Sequence, residues 1–328
     1  MKIFITGITG LLGRHVAELC FREGHEIFAL VRDKKINNSN FPFELEICYG
    51  DLSTLDSIPE KLNHSEIVIH CAANTSMLSI KNTKQEETNI NGIRNLIIVS
   101  KQANIKKFIH VSSANTIAHG DIFFPADESK KLALADYRLP YINTKIIGEE
   151  ILLNEFKVNN FPVIILNPTF ILGPCNLNIS SGKLILAAIK KPILLFPSGG
   201  KNIVDVRDIA RVIVNSIHKG KTGNNYLLSN ENLTYKEIFT LACKYANVVT
   251  PKFKIPYSLG VVIGYMGSCF ELITKKTTTI NIKTMRLSYQ NHYYNADKAI
   301  KELCFTPRPA KETIKDTVSW FKNEHISN

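Results

Sequence analysis

No Cys-x-x-Cys pair occurs in the chain, and its nine histidines never fall into a His-Glu-x-x-His spacing. The first absence removes the commonest zinc and dithiol arrangements and the second removes the metalloprotease one, so no metal is expected. Seven cysteines lie scattered from Cys20 to Cys304, several inside apolar runs. They read as reduced core residues of a cytoplasmic protein, not as a disulfide framework. Internal repeats and low-complexity tracts are also lacking. So are long blocks of one charge. The net charge of +11 is dispersed in pairs such as Lys34-Lys35, Lys106-Lys107, Lys190-Lys191 and Lys275-Lys276. None of these sits among repeated aromatics, so nucleic acid is not an expected partner. A solvated, lysine-rich surface with some attraction for an anionic cofactor is the better reading. The N-terminus lacks the build of a signal peptide, because the short apolar run from Ile3 enters a glycine motif at once. No transmembrane segment is expected either. The nearest, Ile255 to Ile273, is broken by Pro256, Tyr257, Ser258, Ser268, Glu271 and three glycines. It reads as a buried or substrate-facing helix, with an interfacial contact as the alternative.

What is present is the profile of a soluble globular protein. The chain has 328 residues, of which 45% are hydrophobic and 21% charged, enough for one large domain or two intimately joined ones. Short apolar strands are expected at Lys2–Thr6, Ile27–Val31, Leu45–Tyr49, Ile67–Cys71, Lys107–Ser112 and Pro162–Leu166. Helices are expected between them, including a long one from Lys84 to Gln102 and one carrying Tyr141 that extends to about Asn154. Alternation of this kind predicts an α/β fold, a doubly wound parallel sheet of the Rossmann type. After Pro174 the pattern loosens. Asn176 to Gly182 reads as a loop, Lys183 to Ala188 as helix, Val204 to Ser216 as strand then helix, and Asn225 to Leu228 as a strand. The expected division is a nucleotide-binding domain at 1–174, rejoined by 202–230, and a smaller, mostly helical substrate cap at 175–328.

Three motifs fall at the expected carboxyl ends of strands or on the helices that follow, where such sheets bind ligands. Thr6-Gly7-Ile8-Thr9-Gly10-Leu11-Leu12-Gly13 follows the first strand and opens a helix. In it Gly7 permits a tight turn, Gly10 lets the backbone approach a pyrophosphate and Gly13 allows close helix packing. At the end of the second strand, Val31 stands where a ribose-binding acid is usual and Arg32 follows. Arg32, helped by Lys34 and Lys35, is expected to grip a 2′-phosphate, which favours NADP(H) over NAD. In the alternative, Arg32 is a surface residue and Asp33 takes the ribose. Asp51 and Leu52 would flank the adenine, or Asp51 would cap the next helix. Tyr141 and Lys145 are four residues apart and share one face of a helix. Tyr141 is expected to act as general acid, its pKa lowered by the Lys145 ammonium, which also reaches the nicotinamide ribose. Ser113, with Ser112 as competitor, would bond the substrate oxygen. Asn89 would hold a water in the proton path, or else satisfy backbone groups.

These residues together resemble the extended short-chain dehydrogenase/reductases, also called the NAD-dependent epimerase/dehydratase family. The resemblance covers nearly the whole chain. It rests on Thr6 to Gly13, His70-Cys71-Ala72-Ala73, Thr88 to Gly92, Val111-Ser112-Ser113, Tyr141 to Lys145 with Gly148-Glu149, Asn167-Pro168-Thr169, and Asn202 to Ala210. Val31-Arg32-Asp33, Ser113 to Thr116 and Asn230 to Thr234 are most similar to the dihydroflavonol reductase-like and 3β-hydroxysteroid dehydrogenase-like branch. The resemblance implies hydride transfer between a nicotinamide and a carbon bearing oxygen. Tyr141 would be acid or base, Ala72 and Ala73 would lie against the cofactor, and Pro168 would border the nicotinamide. Ile117-Ala118-His119-Gly120 replaces the Val-Tyr-Gly usual in sugar-nucleotide members, which counts against a nucleotide sugar. The expected activity is therefore reduction of a ketone or aldehyde, or oxidation of a secondary alcohol, in a small molecule. Val261 to Phe270 would suit a hydrophobic or sterol-like one, and a packed helix explains the same residues equally well. The alternatives are an epimerase or dehydratase that keeps its NAD, or a non-catalytic nucleotide sensor. A homodimer through the long helices is an expectation by analogy.

Overall fold

The computed structural model describes residues 1–76, 83–130, 139–174, 181–190, 195–274, 278 and 280–325. Cys175, most of the expected 176–182 loop, and Lys191, Lys275 and Lys276 of the lysine pairs lie outside these.

Runs of β-branched and aromatic residues form the strands. In chain order these are β1 Lys2–Thr6, β2 Glu26–Val31, β3 Glu46–Tyr49, β4 Ile67–His70, β5 Lys107–Val111, β6 Val163–Pro168, β7 Phe170–Leu172, β8 Leu195–Phe196, β9 Gly200–Asp205, β10 Asn224–Leu228, β11 Glu231–Thr234, β12 Phe253–Lys254 and β13 Asn291–His292. The helices are α1 Leu11–Arg22, α2 Thr83–Glu86, α3 Gly92–Gln102, α4 Pro140–Asn159, α5 Gly182–Lys190, α6 Val206–Asn215, α7 Tyr235–Ala246, α8 Tyr257–Thr274, α9 Ile282–Leu287, α10 Asp297–Leu303 and α11 Ala310–His325. Seven strands make one parallel sheet in the order β3-β2-β1-β4-β5-β6-β10. The order reverses between β1 and β4, the switch point where doubly wound sheets bind ligands.

Both faces of the sheet are covered, and the two-residue period of the strands sorts the core accordingly. Ile3 and Ile5 of β1 pack with Val16 and Ala17 of α1 and Ile209 and Ile213 of α6. Phe4, between them, packs on the other face with Leu96 of α3 and Leu152 of α4. Burial on both faces explains why β4, β5 and β6 are mostly apolar and do not alternate with exposed polar residues.

Several expectations are corrected. The expected helix from Lys84 to Gln102 contains a π-helical turn over Glu87–Asn91, between α2 and α3. The Tyr141 helix runs past Asn154 to Asn159. It stops at Asn160, which adopts a left-handed φ of 53° and caps the last turn. Val204 and its neighbours do not return to the large sheet. β7 leaves β6 with no crossover helix, so it cannot lie parallel beside β6 and begins a second sheet instead. There β9 pairs with β7, β11 and β13, while β10 alone takes the edge beside β6. The region after Pro174 thus carries strands as well as helices. A third core cluster joins α5, α7 and α11 through Ile185, Phe239 and Phe321. Cys20, Cys48 and Cys243 are buried and Cys71 is half-buried, but Cys269 and Cys304 are exposed rather than in the core.

Candidate active site

The carboxyl ends of β1, β2, β4 and β5 lie along one edge of the sheet. Gly7 leaves β1 with a φ of +82°, and a Cβ there would lie 2.6 Å from the backbone nitrogen of Ala72. Only glycine lets the first turn pack this closely against the end of β4. Ala72 in turn donates its N–H to Thr6 Oγ1 at 3.2 Å. Gly10 is the N-cap of α1 and, having no side chain, supplies no cap bond to the N–H groups of that helix start. A helix N-terminus that begins on a glycine suits an anion such as pyrophosphate, because the backbone can approach it closely. Thr9 is exposed and Leu11 and Leu12 are half-buried along the same turn. These residues fit a dinucleotide.

Arg32 is exposed at the carboxyl end of β2. Asp33 is turned into its own loop, where its Oδ1 accepts the Lys35 N–H at 2.9 Å. Asp51 accepts the N–H and hydroxyl of Ser53, both at 2.8 Å. It therefore closes a local turn and caps no helix. Burial raises its carboxyl pKa, but the Ser53 bonds and nearby Arg32 outweigh that and hold it low. Leu52 is buried in the core beneath the α3 face, so its side chain is committed to packing.

At the end of β5 the backbone alternates. Ser113 faces Tyr141 and favours its phenolate, whereas Ser112 turns towards Glu149. The Ser112 hydroxyl does not meet that carboxylate in a well-formed hydrogen bond. Strand alternation thus puts Ser113 on the side of the tyrosine and Ser112 on the side of Glu149. Tyr141 begins α4 just after Pro140 and packs with Leu139, Ile142, Ile146 and, from α9, Leu287. One turn further, Lys145 is buried and donates to the Val111 carbonyl at 2.9 Å. Burial draws its pKa down to about 8, against the opposing effect of Glu149 and Cys71. Burial likewise raises the Tyr141 pKa, with Glu149 adding to it and Ser113 opposing. The expected lowering by Lys145 is therefore not found here, because desolvation dominates both groups.

Asn89 sits in the π-helical turn. Its Oδ1 accepts the Asn74 N–H at 2.8 Å, and its Nδ2 donates to Asn74 O at 3.1 Å and to Thr144 Oγ1 at 3.0 Å. The amide thus serves the backbone and Thr144, and both its N–H groups are used. Pro168 ends β6 and is buried. Ala73 is half-buried just past β4.

Sequence reasoning missed the polar layer beneath these groups. Glu149 accepts from Thr116 Oγ1 at 2.8 Å, Asn167 Nδ2 at 2.6 Å and Asn225 Nδ2 at 3.3 Å. Asn167 and Thr116 also hold the Ser113 carbonyl. Glu149 lies four residues beyond Lys145 on the same buried face, and that spacing was the available signal. Buried His70 and His110 stack at 5.1 Å between the ends of β4 and β5. Both are held neutral by burial and then by Lys145, His70 with a pKa lowered to about 3. A groove of about 1240 Å³ lies elsewhere, along the β3 edge beside Phe41 and Phe43, away from Tyr141.

Residues 3–229 match the model of the family described as NAD dependent epimerase/dehydratase. The chain belongs to this family. It is an NAD(P)-dependent enzyme of the short-chain dehydrogenase/reductase type, acting on CH–OH groups. A Synechocystis protein provisionally named a dihydroflavonol 4-reductase is 25% identical over 327 residues, covering 98% of this chain and 94% of the relative. Sterol demethylase protein B of Methylococcus capsulatus is also 25% identical, with 98% of each chain covered. The crystal structure of gox2253 superposes with a TM-score of 0.86 at 27% identity, covering 99% and 98% of the two chains. This family member shares the fold of its solved relatives across nearly its whole length.

Proposed function

We propose that the protein is an NADP(H)-dependent oxidoreductase of ketones, aldehydes or secondary alcohols, with Tyr141 as general acid and base. The observation that carries this reading is the meeting of Ser113 and Tyr141 at the end of β5, with Lys145 buried one turn along. The nicotinamide, when bound, supplies or accepts the hydride. In the reducing direction the Tyr141 hydroxyl gives its proton to the carbonyl oxygen, while Ser113 donates a hydrogen bond to that oxygen. The raised phenol pKa keeps the proton in place for this task. Lys145, fixed on Val111 O one turn along the helix, is placed to orient the bound nucleotide. Asn89 positions Thr144 and the chain at Asn74 and is not itself in the proton path. NADP(H) is preferred because Arg32 is exposed beside Asp51, and Asp33 is occupied in its own turn. Leu139 and Leu287 beside Tyr141, and the reductase and sterol dehydrogenase names among the relatives, support a hydrophobic substrate.

The test is NADPH and NADH consumption by the purified protein against aldehydes, ketones and hydrophobic carbonyls, run beside Tyr141→Phe. Consumption that depends on the tyrosine and is faster with NADPH is expected. Lack of consumption by a protein that emerges from purification with its nucleotide bound would transfer the reading to an epimerase or dehydratase.

A further inference from the structure

α8 presents two unlike sides. Gly260, Gly264, Gly267 and Glu271 recur at spacings of four, three and four and form the inner row. Through it the helix presses on Tyr289, on Ile282 and Met285, and on the chain at Ile280 and Asn281. Glu271 is buried there and accepts from Thr278 N at 3.1 Å and Asn281 Nδ2 at 3.3 Å. On the opposite side Leu259, Val262, Met266, Phe270 and Ile273 recur at spacings of three, four, four and three. All are exposed, Met266 by 68% and Ile273 by 82%. Water thus meets a continuous row of large apolar side chains, which monomeric soluble proteins rarely display.

The sequence around α8 is one-sided in charge. Between Glu237 and Asp297 the sequence has a single acid, Glu271, and that acid is buried. The same stretch has seven bases: Lys244, Lys252, Lys254, Lys275, Lys276, Lys283 and Arg286. Lys252 and Lys254 are exposed just before the helix, and Lys275-Lys276 directly follow it in sequence. An apolar row entered through the exposed Lys252 and Lys254, in a stretch of sequence rich in bases, matches the surface of a bilayer with anionic lipids, where side chains enter the acyl boundary and lysines meet the headgroups. The same charge opposes stacking of this face on a second copy of itself.

By length and composition α8 could cross a membrane. Its 18 residues span about 27 Å, short of the roughly 30 Å hydrocarbon core. Its glycine side is also fixed to α9, so lipid cannot surround it. We infer that α8 is an interfacial helix, lying flat on anionic membrane with its Leu259-to-Ile273 row immersed. The inference does not depend on which carbonyl compound the enzyme reduces.

The test is flotation of the full chain with phosphatidylcholine vesicles, with and without about one-third phosphatidylglycerol. Binding to the anionic vesicles is expected, weakened by high salt. The variant L259S/M266S/I273S changes only exposed positions and should bind roughly tenfold less, with unchanged melting temperature and cofactor affinity. K252E/K254E leaves the apolar row intact and should also lower binding, which keeps the test valid if the triple variant folds poorly. Equal flotation of wild type and variants, or none with anionic vesicles, would overturn the inference. A wild-type dimer in sedimentation that L259S/M266S/I273S converts to monomer would overturn it too, assigning the face to a second copy.

Discussion

Tyr141 and Lys145 are both buried, and burial acts on them in opposite senses. It raises the phenol pKa and lowers that of the amine to about 8. In the free protein, therefore, the acid stays protonated through neutral pH while the cation beside it is lost as pH rises through about 8. For reduction, kcat/KM is expected to be flat below that pH and to fall above it, and Lys145→Met should abolish this limb of the profile. The linkage to stability has the opposite sense. The folded amine releases its proton near 8 and the unfolded one near its usual 10.5, so between those values the unfolded state holds more protons and stability rises with pH. Chemical denaturation of wild type and Lys145→Met across this window would reveal the difference. Tyr141→Phe should lower kcat by at least about 10²-fold while leaving nucleotide affinity nearly unchanged, as checked by turnover and fluorescence titration. The positions of Tyr141, Lys145 and Ser113 were legible because motif spacing on a helix and at a strand end maps directly onto space. Glu149 and its partners were not. Thr116, Asn167 and Asn225 come from a turn and two strands, and only the closed sheet brings them to one carboxylate.

Among the elements, the strands of the large sheet could be read because strands buried on both faces leave long apolar runs. The π-helical turn at Glu87–Asn91 could not, since its apolar pattern continues smoothly into α3. It is a tertiary product, formed where Asn89 is drawn to the backbone at Asn74 and to Thr144 on α4. Asn89→Leu should remove these bonds and leave the Asn74 N–H without its partner. A loss of about 2–3 kcal/mol is expected, measurable by urea denaturation, together with a fall in turnover as Thr144 and its helix shift. The fate of β9 was equally hidden. A short strand followed by an amphipathic helix looks the same whether it joins a large sheet or a small one. The choice is made by β7, whose departure from β6 creates the alternative partner.

For the molecule as a whole, ion pairs tie the later part of the chain to α6. Arg308 pairs with Asp208, with an Nη2 to Oδ1 distance of 2.7 Å, and Arg207 bridges Asp205 and Asp316 of α11. Asp208→Asn should leave Arg308 underbonded and lower stability by about 2 kcal/mol, seen as a lower melting temperature. Cofactor preference also has a whole-molecule readout, because a ligand that binds only the folded state raises the melting temperature, and at equal concentration the tighter ligand raises it more. NADPH should raise it more than NADH does, and Arg32→Glu should reverse that order.

The pairing of β10 with β6 bears on how the protein is made. Residues 169–223 separate the two strands, and all of β7, α5, β8, β9 and α6 lie between them. During vectorial synthesis the first six strands can assemble as soon as they emerge from the ribosome, but β6 then stays an open sheet edge until residue 228 has followed. A parallel pair closed over such a distance forms slowly, since the chain must first surrender the entropy of a long loop. The nascent protein therefore passes through a stage with unpaired amide groups along β6, and that strand is where chaperone contact or misassociation between growing chains would begin.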